Sequence, residues 1–388
     1  MPMPSNALPP PPPDAAQHSR RLAEHIAGAI AAEGEWIPFS RYMELALYAP
    51  GLGYYAAGAR KFGSEGDFVT APEISPFFGR CLARQAAQVL ESVGGDVLEL
   101  GPGSGALAAD MYDALKEEGR RPDRYLLLEV SPDLRERQRE RLAQRFPGEM
   151  ERFTWIDTLP RGVRGLVIAN EVLDVVPFSI VKREGDSWFE RGVAVTDAGF
   201  AWEDRSLPDG DLRRRARAVF PPGDYEYVSE ISPAAEALVR TIAGLLEAGV
   251  ALFIDYGFAA HEFYHPQRSM GTMRCHYRHR FHGDPFFMPG LQDITAHVDF
   301  SAMARAAESA GAEVYGYTTQ AYFLISSGLT TLLEALPQDM TVERLKATSA
   351  VQRLVSPAEM GELFKVLAVG RGFDAPLVGF QSARHLPL

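Results

Sequence analysis

The residues best suited to chemistry stand at the ends of short apolar runs. Gly101-Pro102-Gly103-Ser104-Gly105 separates the run DVLEL from the helical pattern ALAADMYDALKEE. Glycines at such a junction let the backbone turn tightly and approach a ligand closely. The helix that follows offers unpaired N–H groups, which suit an anionic or carboxylate group. Glu129 closes the next apolar run, YLLLEV, where a carboxylate can accept both hydroxyls of a ribose. Together these residues describe a site for an adenosine-type ligand at strand C-termini. The spacing Gly101-x-Gly103-x-x-Ala106 also meets the relaxed dinucleotide fingerprint, so S-adenosylmethionine and NAD both stay open on these residues alone. Further on, Glu171 and Asp174 lie three apart, a spacing that on a helical turn puts both on one face. Asp255-Tyr256-Gly257 ends another apolar run, on the same rim by the general rule for open parallel sheets.

These residues need a scaffold, and the pattern around them predicts one. Residues 96–100, 125–130, 165–170 and 250–255 are apolar runs without alternation, as in strands covered on both faces. Helical patterns lie between them, which means βαβ units and a mostly parallel sheet. Ser75-Pro76 and Ser131-Pro132 open helices with a cap followed by proline. Residues 17–33 space Leu22, Ile26 and Ile30 as a helix, and Ser40 reads as the cap of RYMELALY. Residues 51–74 read as a long glycine-rich loop. A hairpin is expected over 178–195, a polar surface excursion over 203–224, a second long loop over 256–299 and helix over 328–352. FKVLAVG, 364–370, is a late strand expected to pair with AEVYGYTTQ at the sheet edge. The expected organisation is a disordered proline-rich tail over 1–20 and a helical cover with a cofactor-closing loop over 21–95. A core over 96–388 follows, with insertions near 178–224, 256–299 and 328–360.

Composition narrows the class. The 388 residues carry 39 Lys and Arg against 51 Asp and Glu, a net charge of −12, which argues against nucleic acid or an anionic membrane as main partner. No apolar run approaches the roughly 18 residues of a membrane-spanning helix. Two cysteines exclude a disulfide scaffold. His261, His265, Cys275, His276, His279, His282 and His297 crowd one segment, but their spacing is not that of a zinc site, and no metal is expected. Arg213-Arg214-Arg215 reads as a solvated face. The proline-rich start shows no targeting pattern, so a cytoplasmic setting is expected.

Asn170-Glu171-Val172-Leu173-Asp174-Val175-Val176-Pro177 separates the two cofactors. It resembles the N-E-x-x-D-x-x-P segment of the MidA-like class I methyltransferases. So do Gly66 to Ser75 upstream, and Asp255-Tyr256-Gly257, Gly271 to Arg274 and Asp293 to Phe300 downstream. The resemblance runs from about Arg41 to near Val369, and favours S-adenosylmethionine, with S-adenosylhomocysteine as product, over NAD. It implies a Rossmann-like, mostly parallel seven-stranded sheet with a helical N-terminal cover. It further implies that Gly101, Gly103 and Gly105 lie under the methionine part, that Glu129 holds the ribose, and that Ser104 and Val130 also belong to the cofactor site. Asp157, with Thr158 and Leu159, would meet the adenine. Thr70 and Glu73 would close over the methionine ammonium, and Asn170 would line the site. The family includes a mitochondrial complex I assembly factor that methylates arginine, so a protein arginine, on a respiratory subunit or another protein, is the implied acceptor. For a guanidinium, Glu171 is the expected main positioning carboxylate, Asp174 its helper and Asp255 a third contact. An assembly factor that binds the cofactor but acts by protein binding is the second reading, and an NAD-dependent oxidoreductase the third. Oligomeric state is not legible.

Overall fold

The apolar runs become adjacent strands in a computed structural model that describes residues 8–57, 70–336, 341–381 and 386–388. Residues 66–69 of the first loop motif, and 337–340 of the last insertion, lie outside the described residues. The strands are β1 (Asp96–Leu100), β2 (Tyr125–Leu128), β3 (Phe153–Ile156), β4 (Val163–Asn170), β5 (Leu246–Phe258), β6 (Glu313–Thr319) and β7 (Phe364–Arg371). Their order across the sheet is β6-β7-β5-β4-β1-β2-β3, and a two-residue eighth strand, Val298–Asp299, pairs with β5 off this path. The pairs from β5 through β4, β1 and β2 to β3 are parallel, and β7 runs antiparallel to both its neighbours. This is a Rossmann-like sheet. The late strand β7 pairs with β6 as expected, but it sits inside the sheet rather than at its edge. Its residues Phe364 to Gly370 are all buried, so both faces and both sides need cover.

The helices that pack against the sheet include α1 (Pro76–Val93), α2 (Ala106–Glu117) and α3 (Pro132–Arg145). Ser75 and Ser131 cap two of them, their hydroxyls accepting from the N–H of Phe77 at 3.3 Å and Leu134 at 3.4 Å. Phe78, Cys81, Leu82 and Val89 of α1 join Val97, Leu127, Ile168, Leu252 and Val366 in one core. Neighbouring strands come close enough to need glycine. A Cβ on Gly249, at φ 136°, would stand 1.9 Å from the carbonyl oxygen of Gly165.

One core residue is a carboxylic acid. Glu99 is buried in β1 and accepts a hydrogen bond from the Tyr125 hydroxyl at 2.6 Å. Burial pushes its pKa from 4.5 up to about 7. The fold therefore holds this proton more tightly than the unfolded chain does. The stability it confers is complete below pH 4.5 and is lost as pH rises through about 7, by about 3 kcal/mol. Glu99→Gln keeps the acceptor and removes the titration. Denaturant unfolding is expected to find the variant more stable than wild type at pH 8 and equal to it at pH 4. An equal difference at both values would contradict this.

The sheet belongs to one of two compact units, made of residues 69–174, 234–263 and 297–388; the other takes 1–68, 175–233 and 264–296. This partition differs from a cover over 21–95 and a core from 96. Helix α1 goes with the sheet because its apolar face completes the sheet's core. The second unit has its own core, built on Leu22, Ile26, Ile30, Tyr42, Phe178 and Val193. Its first helix, Pro13–Ala32, begins inside the span expected as tail, with Pro13 where a missing N–H costs nothing. The helix Phe39–Tyr48 starts one residue before the expected cap, with Pro38 in the cap position. The expected hairpin forms from Ser179–Glu184 and Ser187–Thr196. The expected polar excursion contains the second half of a third strand, Gly199–Ser206, and a helix, Asp211–Val219.

Within the second long loop three short strands, Arg274–Tyr277, Arg280–His282 and Asp293–Thr295, pair with one another. Buried Glu230 organises it, accepting from the N–H of Thr272 and Met273, both at 2.8 Å. Cys275 is fully buried there. Among the described residues no cluster of three or more His, Cys, Asp or Glu could hold a metal ion, and no helix is long and apolar enough to cross a membrane.

Candidate active site

All the expected site residues fall in the sheet unit, and all but Thr70 and Glu73 lie at or near the C-terminal ends of its strands. Between β1 and α2 the chain turns on Gly101, Gly103 and Gly105, whose φ values of 58°, 55° and 78° are all left-handed. Only glycine adopts that region readily. A Cβ would also crowd Val172 at 3.3 Å from Gly101 and Gln138 at 3.2 Å from Gly105. The turn thus leaves bare backbone facing the strand ends.

Glu129 follows β2 and is 5% exposed. Its carboxylate accepts from the N–H of Ser131 at 2.8 Å and from Gln138 Nε2 at 3.2 Å. Burial pushes its pKa up, and these two donors pull it back. Two donors leave acceptor capacity on both oxygens for a pair of hydroxyls. Val130 beside it is 69% exposed, an unusual place for a large apolar side chain unless a ring covers it. Asp157, after β3, pairs with Arg135 at 2.6 Å. The same guanidinium donates to the carbonyls of Glu129 at 2.6 Å and Ile156 at 3.0 Å, tying the ends of β2 and β3 together. Thr158 is exposed and Leu159 half-buried.

Thr70 starts the short turn Ala71–Ile74, which brings Glu73 onto the glycine turn. Glu73 accepts from the Ser104 hydroxyl. Arg141 of α3 reaches both, at 3.4 Å from Glu73 Oε1 and 3.1 Å from Ser104 Oγ. Asn170 ends β4, and its Nδ2 donates to Glu171 Oε1 at 3.2 Å. Its Oδ1 is buried with no partner among the described residues. Such an acceptor calls for a donor from a bound group.

Glu171 and Asp174 do not share a helical face. Glu171 sits at φ 53°, left-handed, and the chain makes an irregular turn rather than a helix. A non-glycine residue held there stores backbone strain. Beside the Asn170 amide, further contacts hold Glu171: its N–H donates to the Ile254 carbonyl at 2.8 Å, and its Oε1 accepts from the Ala71 N–H at 3.3 Å.

The clamp on this turn is Asp255. It is fully buried, and its Oδ2 accepts from the N–H groups of Val172 at 3.2 Å, Leu173 at 2.9 Å and Asp174 at 3.2 Å. Its Oδ1 accepts from the Tyr256 N–H at 3.0 Å. Asp255 was expected on the substrate rim, but its carboxylate is turned to backbone, so it positions the turn. Burial and the nearby Asp174 and Glu171 carboxylates push its pKa well up. The Tyr256 hydroxyl donates to Asp174 Oδ2 at 2.5 Å. Sequence reasoning missed Arg135, Gln138, Arg141 and the Tyr256 hydroxyl. Gln138 alone left a signal: it interrupts the stripe Leu134, Leu142 at spacing four, and these three are the buried residues of α3.

This sheet order, with a glycine turn after β1 and a buried acid after β2, defines a nucleotide-cofactor enzyme of the Rossmann-like methyltransferase class. A model of an S-adenosyl-L-methionine-dependent methyltransferase family matches residues 81–318, and the chain belongs to that family. It is 30% identical to Protein arginine methyltransferase NDUFAF7 homolog, mitochondrial, of Drosophila melanogaster, over 92% of this chain and 88% of the relative. It is 29% identical to the mitochondrial Protein arginine methyltransferase NDUFAF7 of Xenopus laevis, over 90% of this chain and 84% of the relative. A Burkholderia thailandensis protein, solved with S-adenosyl-homocysteine bound, is 48% identical with a TM-score of 0.93, covering 97% of this chain and 98% of that one. The expectation of a cytoplasmic setting is overturned: the fly and frog relatives matched over nine-tenths of the chain are named as mitochondrial. A proline-rich start carries no physical information on compartment.

Proposed function

We infer that this protein is an S-adenosyl-L-methionine-dependent methyltransferase acting on the guanidinium of a protein arginine. The observation that carries the acceptor is the pair of acids Glu171 and Asp174 on the turn after β4, which the buried Asp255 holds in place. Two carboxylates set this close together are relieved by a cation. A guanidinium arrives fully charged and binds carboxylates through paired N–H groups. The fly and frog relatives are named as protein arginine methyltransferases, which supports the same reading.

The cofactor, when bound, supplies a methyl group already activated on a sulfonium. The residues proposed to hold it are Gly101, Gly103, Ser104 and Gly105 with Thr70 and Glu73, then Glu129 and Val130, Asp157 with Thr158 and Leu159, and Asn170. The orphaned Asn170 Oδ1 and the exposed Val130 fit such a group. The chain's task is positioning. Glu171 fixes the guanidinium and turns one nitrogen toward the site, and Asp174, steadied by Tyr256, holds a second N–H. Asp255 keeps the two acids at their places. A respiratory complex subunit is the acceptor we propose to try first.

The test is transfer of a labelled methyl group to arginyl peptides and to the same peptides with lysine at each arginine. Label on arginine only, located by mass spectrometry, is expected. Label on lysine peptides, or on neither while a small molecule is methylated, would overturn the arginine reading.

A further inference from the structure

Gln138 is a polar side chain with no exposure, in the middle of the buried face of α3. Its amide makes three hydrogen bonds. Nε2 donates to the Gly103 carbonyl at 2.8 Å and to Glu129 Oε2 at 3.2 Å. Oε1 accepts from the indole N–H of Trp155, on β3, at 2.8 Å. The Trp155 indole can only donate, so it fixes which end of the amide faces it. The NH2 end must then face the carbonyl and the carboxylate, and both are acceptors.

We propose that Gln138 is a positioning residue of the cofactor site, coupling the glycine turn to the ribose carboxylate so that the two present one surface to S-adenosylmethionine. This rests on the methyltransferase reading above. The Gly103 carbonyl belongs to the turn expected under the methionine part, and Glu129 to the acid expected under the ribose. One amide holds both, and Trp155 holds the amide. The residue type follows from the geometry, because the position needs two donors and one acceptor from a single planar group. Glutamate offers no second donor and sets a charge against Glu129. Methionine leaves the Gly103 carbonyl, Glu129 and the Trp155 N–H each short of a partner in a buried place. The amide also steadies the charged form of Glu129, which burial disfavours. Gly105 lets α3 come this close: a Cβ there would meet the Gln138 Cγ at 3.2 Å.

The test is calorimetric titration with S-adenosylhomocysteine. Gln138→Met is expected to weaken binding about tenfold or more in wild type, but less than about threefold in a Glu129→Ala background, because both changes then remove the same interaction. Gln138→Glu is expected to bind less well as pH rises from 6 to 8.5, as two facing carboxylates lose a shared proton, while wild type stays flat. A residue that only filled space would not produce that profile. Should Gln138→Met not fold, Trp155→Phe carries the test, with an expected loss of about threefold from a freed amide. Wild-type affinity in these variants, equal losses in both backgrounds, or a flat profile for Gln138→Glu would overturn the proposal. If wild type itself does not bind S-adenosylhomocysteine, the methyltransferase reading fails first and takes this one with it.

Discussion

Glu171→Gln is expected to cut methyl transfer about 100-fold or more while S-adenosylhomocysteine affinity stays within about threefold. The amide keeps an oxygen to accept from the Ala71 N–H and the Asn170 amide, so the turn has no reason to move. What is lost is the negative charge facing a guanidinium. The effect therefore belongs in the chemical step and in acceptor binding, and single-turnover kinetics with saturating cofactor separate the two. Retention of more than a third of wild-type activity would remove Glu171 from the positioning role. An equal loss of cofactor affinity would move it into the cofactor site instead.

The second large effect is at Asp255, where two substitutions should part company. Asp255→Ala leaves the N–H groups of Val172, Leu173 and Asp174 without their acceptor in a buried turn. At about 1–3 kcal/mol for each stranded donor, offset by partial collapse, a loss of about 3–5 kcal/mol and a fall in Tm of about 10 °C are expected, with activity abolished. Asp255→Asn keeps an acceptor oxygen on the turn. Because burial and two neighbouring acids already push the Asp255 carboxyl toward its neutral form, the amide is a close mimic. Its NH2 end meets the Tyr256 N–H where Oδ1 accepted, so a loss of about 1–2 kcal/mol is expected, smaller than for Asp255→Ala, with most of the activity kept. If Asp255→Asn folds normally and is inactive, Asp255 touches the acceptor after all, and the clamp is not its role.

That ambiguity at Asp255 marks where the sequence stops being legible. An acid at the end of an apolar run looks the same whether it faces a ligand or three backbone amides. Only the approach of β5 to the turn after β4 decides, and that contact spans some 80 residues. The glycine turn and Glu129 were legible because their signals are local: a strand, a turn that needs left-handed backbone, a helix, and an acid at the next strand's end. The spacing of Glu171 and Asp174 misled, since three residues apart means one face only on a helix, and Glu171 is left-handed. The β7 strand carried its true place in its composition. A run as apolar as FKVLAVG belongs inside a sheet, and its antiparallel direction was the part hidden. The second unit was read least well, because contacts far apart in the chain organise it: Glu230 holds the loop from 42 residues away.

The measurement that bears most directly on the whole account is calorimetric titration of the wild-type protein with S-adenosylhomocysteine, beside Gly103→Asp and Glu129→Ala. The account predicts a micromolar Kd for wild type, about −8 kcal/mol, weakened more than about tenfold by each change in protein that keeps its circular dichroism and melting behaviour. No heat of binding from well-folded wild type, or equal binding by all three, would contradict it.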